Sequence, residues 1–214
     1  MSNEKVLTIK ETFELAVKNH REGKTDIAQE LYNQTLKINP SHSQALNNLG
    51  MIFKGLGENQ KAKDCFEKSI EINPNYADAY NNLGMIFKGL GENQKTKKCF
   101  EKSIEVDPNY VNAHYNLGVI FKELGENQKA KKCYEKVIEL NPNYAVAHYN
   151  LGVIFKELEE NQKAKECYEK AIEINPDLFD ALSNIANIYV SRLTDFEIAI
   201  SKSNEALKIY HKNY

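Results

Sequence analysis

The eight residues Asn81 to Lys88 repeat, letter for letter, the stretch Asn47 to Lys54, 34 positions earlier. The stretch returns 34 positions later as Tyr115 to Lys122, and again as Tyr149 to Lys156, with Tyr for the first Asn and Val for Met. A fixed period of this length constrains the fold more than any other property of the chain. Each repeat is one supersecondary unit that cannot bury its apolar face alone, so the units have to stack. The copies are close. Residues 49–63 and 83–97 differ only at Ala62 and Thr96, and His114–Leu124 is identical to His148–Leu158. Recent duplication of this kind argues against a unique active site built from one repeat.

The period divides the chain into a lead-in at residues 1–8 and six units: 9–42, 43–76, 77–110, 111–144, 145–178 and 179–214. The last unit needs one extra residue near Ser191 to Leu193 to bring Ala199 and Ala206 into place. Each unit reads as two helices. In 43–76, Ala45, Leu46, Leu49, Gly50, Ile52, Phe53 and Leu56 recur at helical spacing and form one apolar face. Gly55-Leu56-Gly57 breaks that helix, with Gly57 suited to a left-handed turn. The second helix carries Ala62, Cys65, Phe66, Ser69, Ile70 and Ile72 inward. Lys63, Asp64, Glu67, Lys68 and Glu71 form its solvated face, with i,i+4 charge pairs. Asn73-Pro74 stops it. Two positions depart from the pattern: Glu159 stands where the turn glycine belongs and Thr96 where a small alanine belongs. Both are expected to be local weak points of about 1 kcal/mol each.

Composition removes several function classes. The 214 residues are 42% hydrophobic and 27% charged, with net charge −2 and a pI of about 6.2. That balance gives no general attraction to nucleic acid or an anionic membrane. No apolar run approaches a membrane span, and Met1 to Lys10 has no stretch of signal-peptide length, so a cytoplasmic protein is expected. The four cysteines, Cys65, Cys99, Cys133 and Cys167, are one repeat position used four times. Equivalent positions of stacked helices lie about 10 Å apart, too far for a disulfide, so these thiols read as small packing residues. His114 and His148 are likewise one position used twice and cannot share a metal. No nucleophile triad, phosphate-binding glycine loop or paired-carboxylate cleft is present. No enzymatic activity, cofactor or metal is expected of this chain.

The pattern resembles the tetratricopeptide repeat family, whose motif has a large residue, then Leu-Gly, an aromatic, Ala, a second aromatic, a small residue and Pro. Unit 77–110 shows it as Tyr80, Leu83-Gly84, Phe87, Thr96, Phe100, Ser103 and Pro108. Unit 111–144 has His114, Leu117-Gly118, Phe121, Ala130, Tyr134, Val137 and Pro142, and unit 145–178 has His148, Leu151-Gly152, Phe155, Ala164, Tyr168, Ala171 and Pro176. The first unit departs at Asn19, where the aromatic belongs, and the sixth is irregular, as terminal units of a solenoid are. The resemblance implies an all-α fold, a right-handed superhelical α-solenoid of six helix-turn-helix units, with the first helix of each unit lining a concave groove.

The stripe of the first helices opposite the core is then the candidate site. In 43–76 it is Gln44, Asn47, Asn48, Met51, Lys54 and Gly55. Aligned over the repeats, Asn48, Asn82, Asn116, Asn150 and Asn184 form one ladder and Lys54, Lys88, Lys122 and Lys156 another, with Tyr115 and Tyr149 flanking the asparagines. An asparagine offers both donor and acceptor, which suits the N–H and C=O groups of an extended peptide. Rungs about 10 Å apart match every third residue of such a chain. The asparagine ladder is similar to that of the superhelical repeat domain of O-linked N-acetylglucosamine transferases, where the equivalent residues hold a bound polypeptide backbone. The competing reading is that these asparagines tie neighbouring repeats together, and both can hold. The lysines suit acidic ligands or a solvated helix end, partly cancelled by Glu123 and Glu157. The first unit has Glu14 in place of the ladder asparagine. The family's carboxylate clamp for chaperone tails is not expected, because the positions before Leu-Gly hold Asn, Tyr or Ser.

Three functions remain open. The leading one is a non-catalytic scaffold binding a protein or peptide segment in the groove, with no nucleic acid and no membrane. The second is the N-terminal substrate-recruiting arm of a larger enzyme such as a glycosyltransferase. The third is a self-assembling module, in which Ile198, Leu207, Ile209 and Tyr210 of the last unit stack on a second copy to give a homo-oligomer.

Overall fold

The computed structural model describes residues 7–191 and 196–213, which form twelve α-helices and no strand. In order they are α1 (Ile9–Arg21), α2 (Thr25–Ile38), α3 (Ser43–Gly55), α4 (Asn59–Ile72), α5 (Ala77–Gly89), α6 (Asn93–Val106), α7 (Val111–Glu123), α8 (Asn127–Leu140), α9 (Ala145–Glu157), α10 (Asn161–Ile174), α11 (Phe179–Ser191) and α12 (Phe196–Asn213). Most of the lead-in, and Arg192 and Leu193 of the expected insertion, lie outside the described residues, as do the side chains of Ala199, Ile209 and Tyr210. Residues 1–113 and 114–214 are two compact units.

The helices end where local chemistry ends them. Asn39, Asn73, Asp107, Asn141 and Asn175 cap the even-numbered helices from α2 to α10, each followed by proline. The residue before proline avoids the helical region. In each case the cap's side-chain oxygen accepts the N–H two residues on, at 3.0–3.2 Å, an Asx turn that replaces the next helical bond. Between the helices of a pair the chain turns through a left-handed residue: Gly23, Gly57, Gly91 and Gly125 have φ between 72° and 76°. In the fifth pair Glu159 takes that conformation at φ 60°.

Close approach within a pair explains the Leu-Gly motif. A Cβ on Gly50 or Gly84 would stand 2.7 Å from the ring of Phe66 or Phe100, and one on Gly118 or Gly152 would stand 2.8 or 2.7 Å from Tyr134 or Tyr168. Only glycine admits the second helix's aromatic at this distance, and the ring itself is fully buried. In residues 1–113 one core joins Ala16, Ala28, Tyr32, Leu49 and Ile52, and a second joins Ala62, Phe66, Leu83, Ile86 and Phe87. In residues 114–214 Ile120, Tyr134, Val137, Ile154, Tyr168, Leu182 and Ile185 are buried. Ser69 and Ser103 donate to the carbonyls of Ser43 and Ala77 at 2.9 Å, tying the two helices of their pairs. At the same position, Val137 and Ala171 are fully buried apolar side chains.

Two residues assigned to the apolar faces are corrected. Leu56 is 53% exposed because it is the C-cap of α3, past the last core-facing turn. Ile72, the last residue of α4, is 39% exposed. The charged faces match expectation: Lys63–Glu67, Lys97–Glu101, Lys131–Glu135 and Lys165–Glu169 pair at i,i+4.

Candidate functional site on the odd-numbered helices

In residues 1–113 the stripe divides into a buried and an accessible row. Asn47 and Asn81, expected on the outer stripe, are 2% and 6% exposed. Asn47 is buried because its amide is used between repeats: Oδ1 accepts from Asn82 Nδ2 at 3.0 Å, and Nδ2 donates to Asn48 Oδ1 at 3.3 Å. It also hydrogen-bonds Tyr76, whose hydroxyl burial pushes up to about 12. Asn48 Nδ2 donates to Tyr32 Oη of α2 at 3.2 Å. Asn48 and Asn82 are half-buried, as are Lys54, Lys88 and Met85, while Met51 is 44% exposed. Burial alone holds the Lys54 ammonium below its ordinary pKa. Val17, His20, Arg21, Tyr32, Asn48 and Met51 line a cavity of about 300 Å³. Glu14, which replaces the ladder asparagine in α1, is exposed and lies 3.9 Å from Lys10.

In residues 114–214 the same positions are richer in tyrosine. Asn116, Asn150 and Asn184, and Lys122 and Lys156, are half-buried on α7, α9 and α11. Asn150 Nδ2 donates to Tyr115 Oη at 3.4 Å, and Lys156 Nζ donates to Asn184 Oδ1 at 3.0 Å. Asn184 also hydrogen-bonds Tyr149. Glu157 accepts from Asn127 Nδ2 at 3.0 Å. Tyr115 packs on Tyr134 and Tyr144, with centroids 6.0 and 5.2 Å apart, and Tyr149 packs on Tyr168 at 5.8 Å.

The ladder asparagines at 48, 82, 150 and 184 therefore join neighbouring helices, which is the structural role weighed against ligand binding. Each of these bonds engages one end of an amide that has two. Sequence reasoning missed Tyr134 and Tyr168. Both hydroxyls are buried without a hydrogen-bond partner, and burial raises the pKa of both. An unpaired buried hydroxyl costs about 1–3 kcal/mol. The signal was present: tyrosine replaces the phenylalanine of units two and three with no new polar residue beside it in the sequence.

The remaining candidates are structural. His148 is half-buried, with Nε2 2.9 Å from the Pro142 carbonyl rather than packed in the core. Burial pushes the Cys65, Cys99 and Cys167 thiols up to about 11. Among the described residues no helix is long and apolar enough to cross a membrane.

The tetratricopeptide repeat model matches residues 43–76, 77–110, 111–144 and 145–178. The chain belongs to the tetratricopeptide repeat family. A second model of the family matches residues 167–211. No curated protein sequence matches the chain. Among solved structures it is similar to MamA, at 26% identity over 75% of this chain and 94% of that one, with a TM-score of 0.66. It is similar to YrrB, described as a tetratricopeptide repeat protein with an unusual peptide-binding site, at 25% identity over 82% and 90% of the two chains, with a TM-score of 0.64. PilF of Pseudomonas aeruginosa shares the fold at 18% identity over 94% and 91%, with a TM-score of 0.85. Tetratricopeptide repeats of this type serve as protein-interaction scaffolds.

Proposed function

We propose that this chain is a non-catalytic scaffold that binds an extended polypeptide segment along the exposed stripe of its odd-numbered helices. The observation that carries the proposal is half-buried Asn82 in one unit and Asn150 in the other, each joined to a neighbouring repeat through its amide nitrogen, in a row with Asn48 and Asn184, which each hold two partners. Fixing one end orients the other at little further entropic cost, which is what preorganised binding needs. The similarity to YrrB supports a peptide ligand. The half-buried lysine row favours an acidic or carbonyl-rich segment.

The test is capture of partners from native lysate by the wild type and by Asn82→Ala/Asn116→Ala/Asn150→Ala, with thermal melting of both. A partner lost by a variant that still melts cooperatively places the ligand on the stripe. A partner retained by the variant sends the function to another surface.

A further inference from the structure

The first repeat departs from the next two at the end of its odd-numbered helix. His20 stands where the lysine row has Lys54 and Lys88, and Arg21 where α3 and α5 end in Gly55 and Gly89. On α2, Tyr32 carries a hydroxyl where α4 and α6 have Phe66 and Phe100. All three departures line the cavity of about 300 Å³ shared by α1, α2 and α3, together with Val17, Asn48 and Met51.

Hydrogen bonding fixes what this cavity offers. Asn48 is used at both ends: Oδ1 accepts from Asn47 and Nδ2 donates to Tyr32 Oη. The Tyr32 hydroxyl still has one proton to give, and His20 Nδ1 lies 3.5 Å from it, with the imidazole edge-on to the Tyr32 ring. A neutral imidazole that accepts at Nδ1 carries its proton on Nε2. Burial lowers the His20 pKa, which favours that neutral form. The groups left over, His20 Nε2–H and the Arg21 guanidinium, are donors, and the Val17 and Met51 walls are apolar. Among the described residues Arg21 is the one charged side chain lining the cavity. Glu14 and Glu22, the acids before and after it in the chain, lie 3.9 Å from Lys10 and 2.7 Å from Lys24. Lys54 follows Met51 by three residues on α3, and positions so spaced are neighbours on a helix surface.

An apolar-walled cavity whose spare polar groups are all donors fits a ligand rich in acceptors. A phosphate monoester is such a ligand, with a charge of about −1.5 to −2 at neutral pH and three acceptor oxygens. Two of its oxygens match the planar fork of a guanidinium, which leaves one for His20 Nε2–H. A carboxylate has two oxygens, and the fork takes up both. Methionine sulfur and aromatic rings make favourable contacts, so a ring on the ester suits Met51. We propose that Arg21 and His20 bind the phosphoryl group of an aryl phosphate monoester, free or carried by a tyrosine of a bound polypeptide, with the ring against Val17 and Met51. The site goes beyond the peptide-binding reading above, because neither of its donors belongs to the asparagine ladder.

The test is calorimetric titration of phenyl phosphate, and of benzoate, into the full chain and into Arg21→Gln, with an NMR titration of the His20 imidazole assigned by His20→Gln. Phenyl phosphate is expected to bind the wild type in preference to benzoate. Arg21→Gln should weaken that binding by about ten-fold or more. Saturating phenyl phosphate should raise the His20 pKa by about one unit, as an adjacent opposite charge does. Arg21 is exposed, so the variant is expected to fold, which thermal melting checks. Lys18, His20 and Arg21 also make the last turn of α1 basic, which complements the helix dipole. A role confined to that dipole lowers the melting temperature of the variant and leaves phenyl phosphate binding unchanged. Equal binding by both proteins, equal or tighter binding of benzoate, or a His20 pKa that does not rise overturns the proposal. A phosphotyrosine peptide that binds more tightly than phenyl phosphate assigns the ester to a polypeptide, and equal binding assigns it to a free small molecule. If captured partners depend on the ladder asparagines while phenyl phosphate does not bind, the peptide-binding reading stands and this site falls.

Discussion

Glu159 holds φ 60° where the other described pairs up to that point turn through glycine. A side chain in the left-handed region is strained by the approach of Cβ to the backbone, and glutamate has no short polar group to compensate. Glu159→Gly is therefore expected to raise stability by about 1 kcal/mol, read as an increase in melting temperature. An unchanged or lower melting temperature contradicts the strain. Thr96, the other irregular residue, is accommodated differently. It is fully buried, and its Oγ1 donates to the Glu92 carbonyl at 3.1 Å, so the hydroxyl is not an orphan. Its remaining disadvantage against alanine is helix propensity, about 0.5 kcal/mol. Glu159 was legible in the sequence because the period names the residue type each turn needs. The satisfied hydroxyl of Thr96 was not, because back-bonding to a carbonyl four residues earlier leaves no mark in residue spacing.

At the scale of the element, the even-numbered helices were readable in full outline: the aromatic, the small residue and the Asn-Pro or Asp-Pro stop lie on the helix they define. The odd-numbered helices were readable on one face only. Asn47 and Asn48 are adjacent, so they differ by about 100° around the helix. Periodicity alone does not decide which turns into the stack, because the deciding partner, Asn82, comes from the next repeat. The thiols of the even-numbered helices give a prediction at this scale. Cys65, Cys99 and Cys167 are raised from 9.0 to about 11 by burial. The unfolded chain loses these protons first as pH rises, so their contribution to stability is complete below pH 9 and is lost toward pH 11. The urea midpoint should fall across that window, and should fall less in a variant with the three cysteines replaced by alanine. At pH 8 iodoacetamide should label the native thiols far more slowly than the unfolded ones, since the thiolate is the nucleophile.

At the scale of the whole molecule, the period carried the fold, and family membership follows from matches to four successive repeats. The site was legible as a set of positions but not as a set of bonds. Asn48, Asn82, Asn150 and Asn184 lie on helices that line up by sequence arithmetic, yet the partner of each differs: Tyr32, Asn47, Tyr115 and Lys156. Near-identical repeats thus present different surfaces, polar in residues 1–113 and aromatic in residues 114–214. The proposed scaffold holds its ligand on the odd-numbered helices and not on the charged faces of the even-numbered ones. The direct measurement is photo-cross-linking to a captured polypeptide from p-benzoylphenylalanine placed at Met51 or Met85, compared with the exposed positions Glu67 and Glu101. Ligand on the odd-numbered stripe predicts cross-links from Met51 and Met85 and none from Glu67 or Glu101. Cross-links from Glu67 and Glu101 alone contradict it.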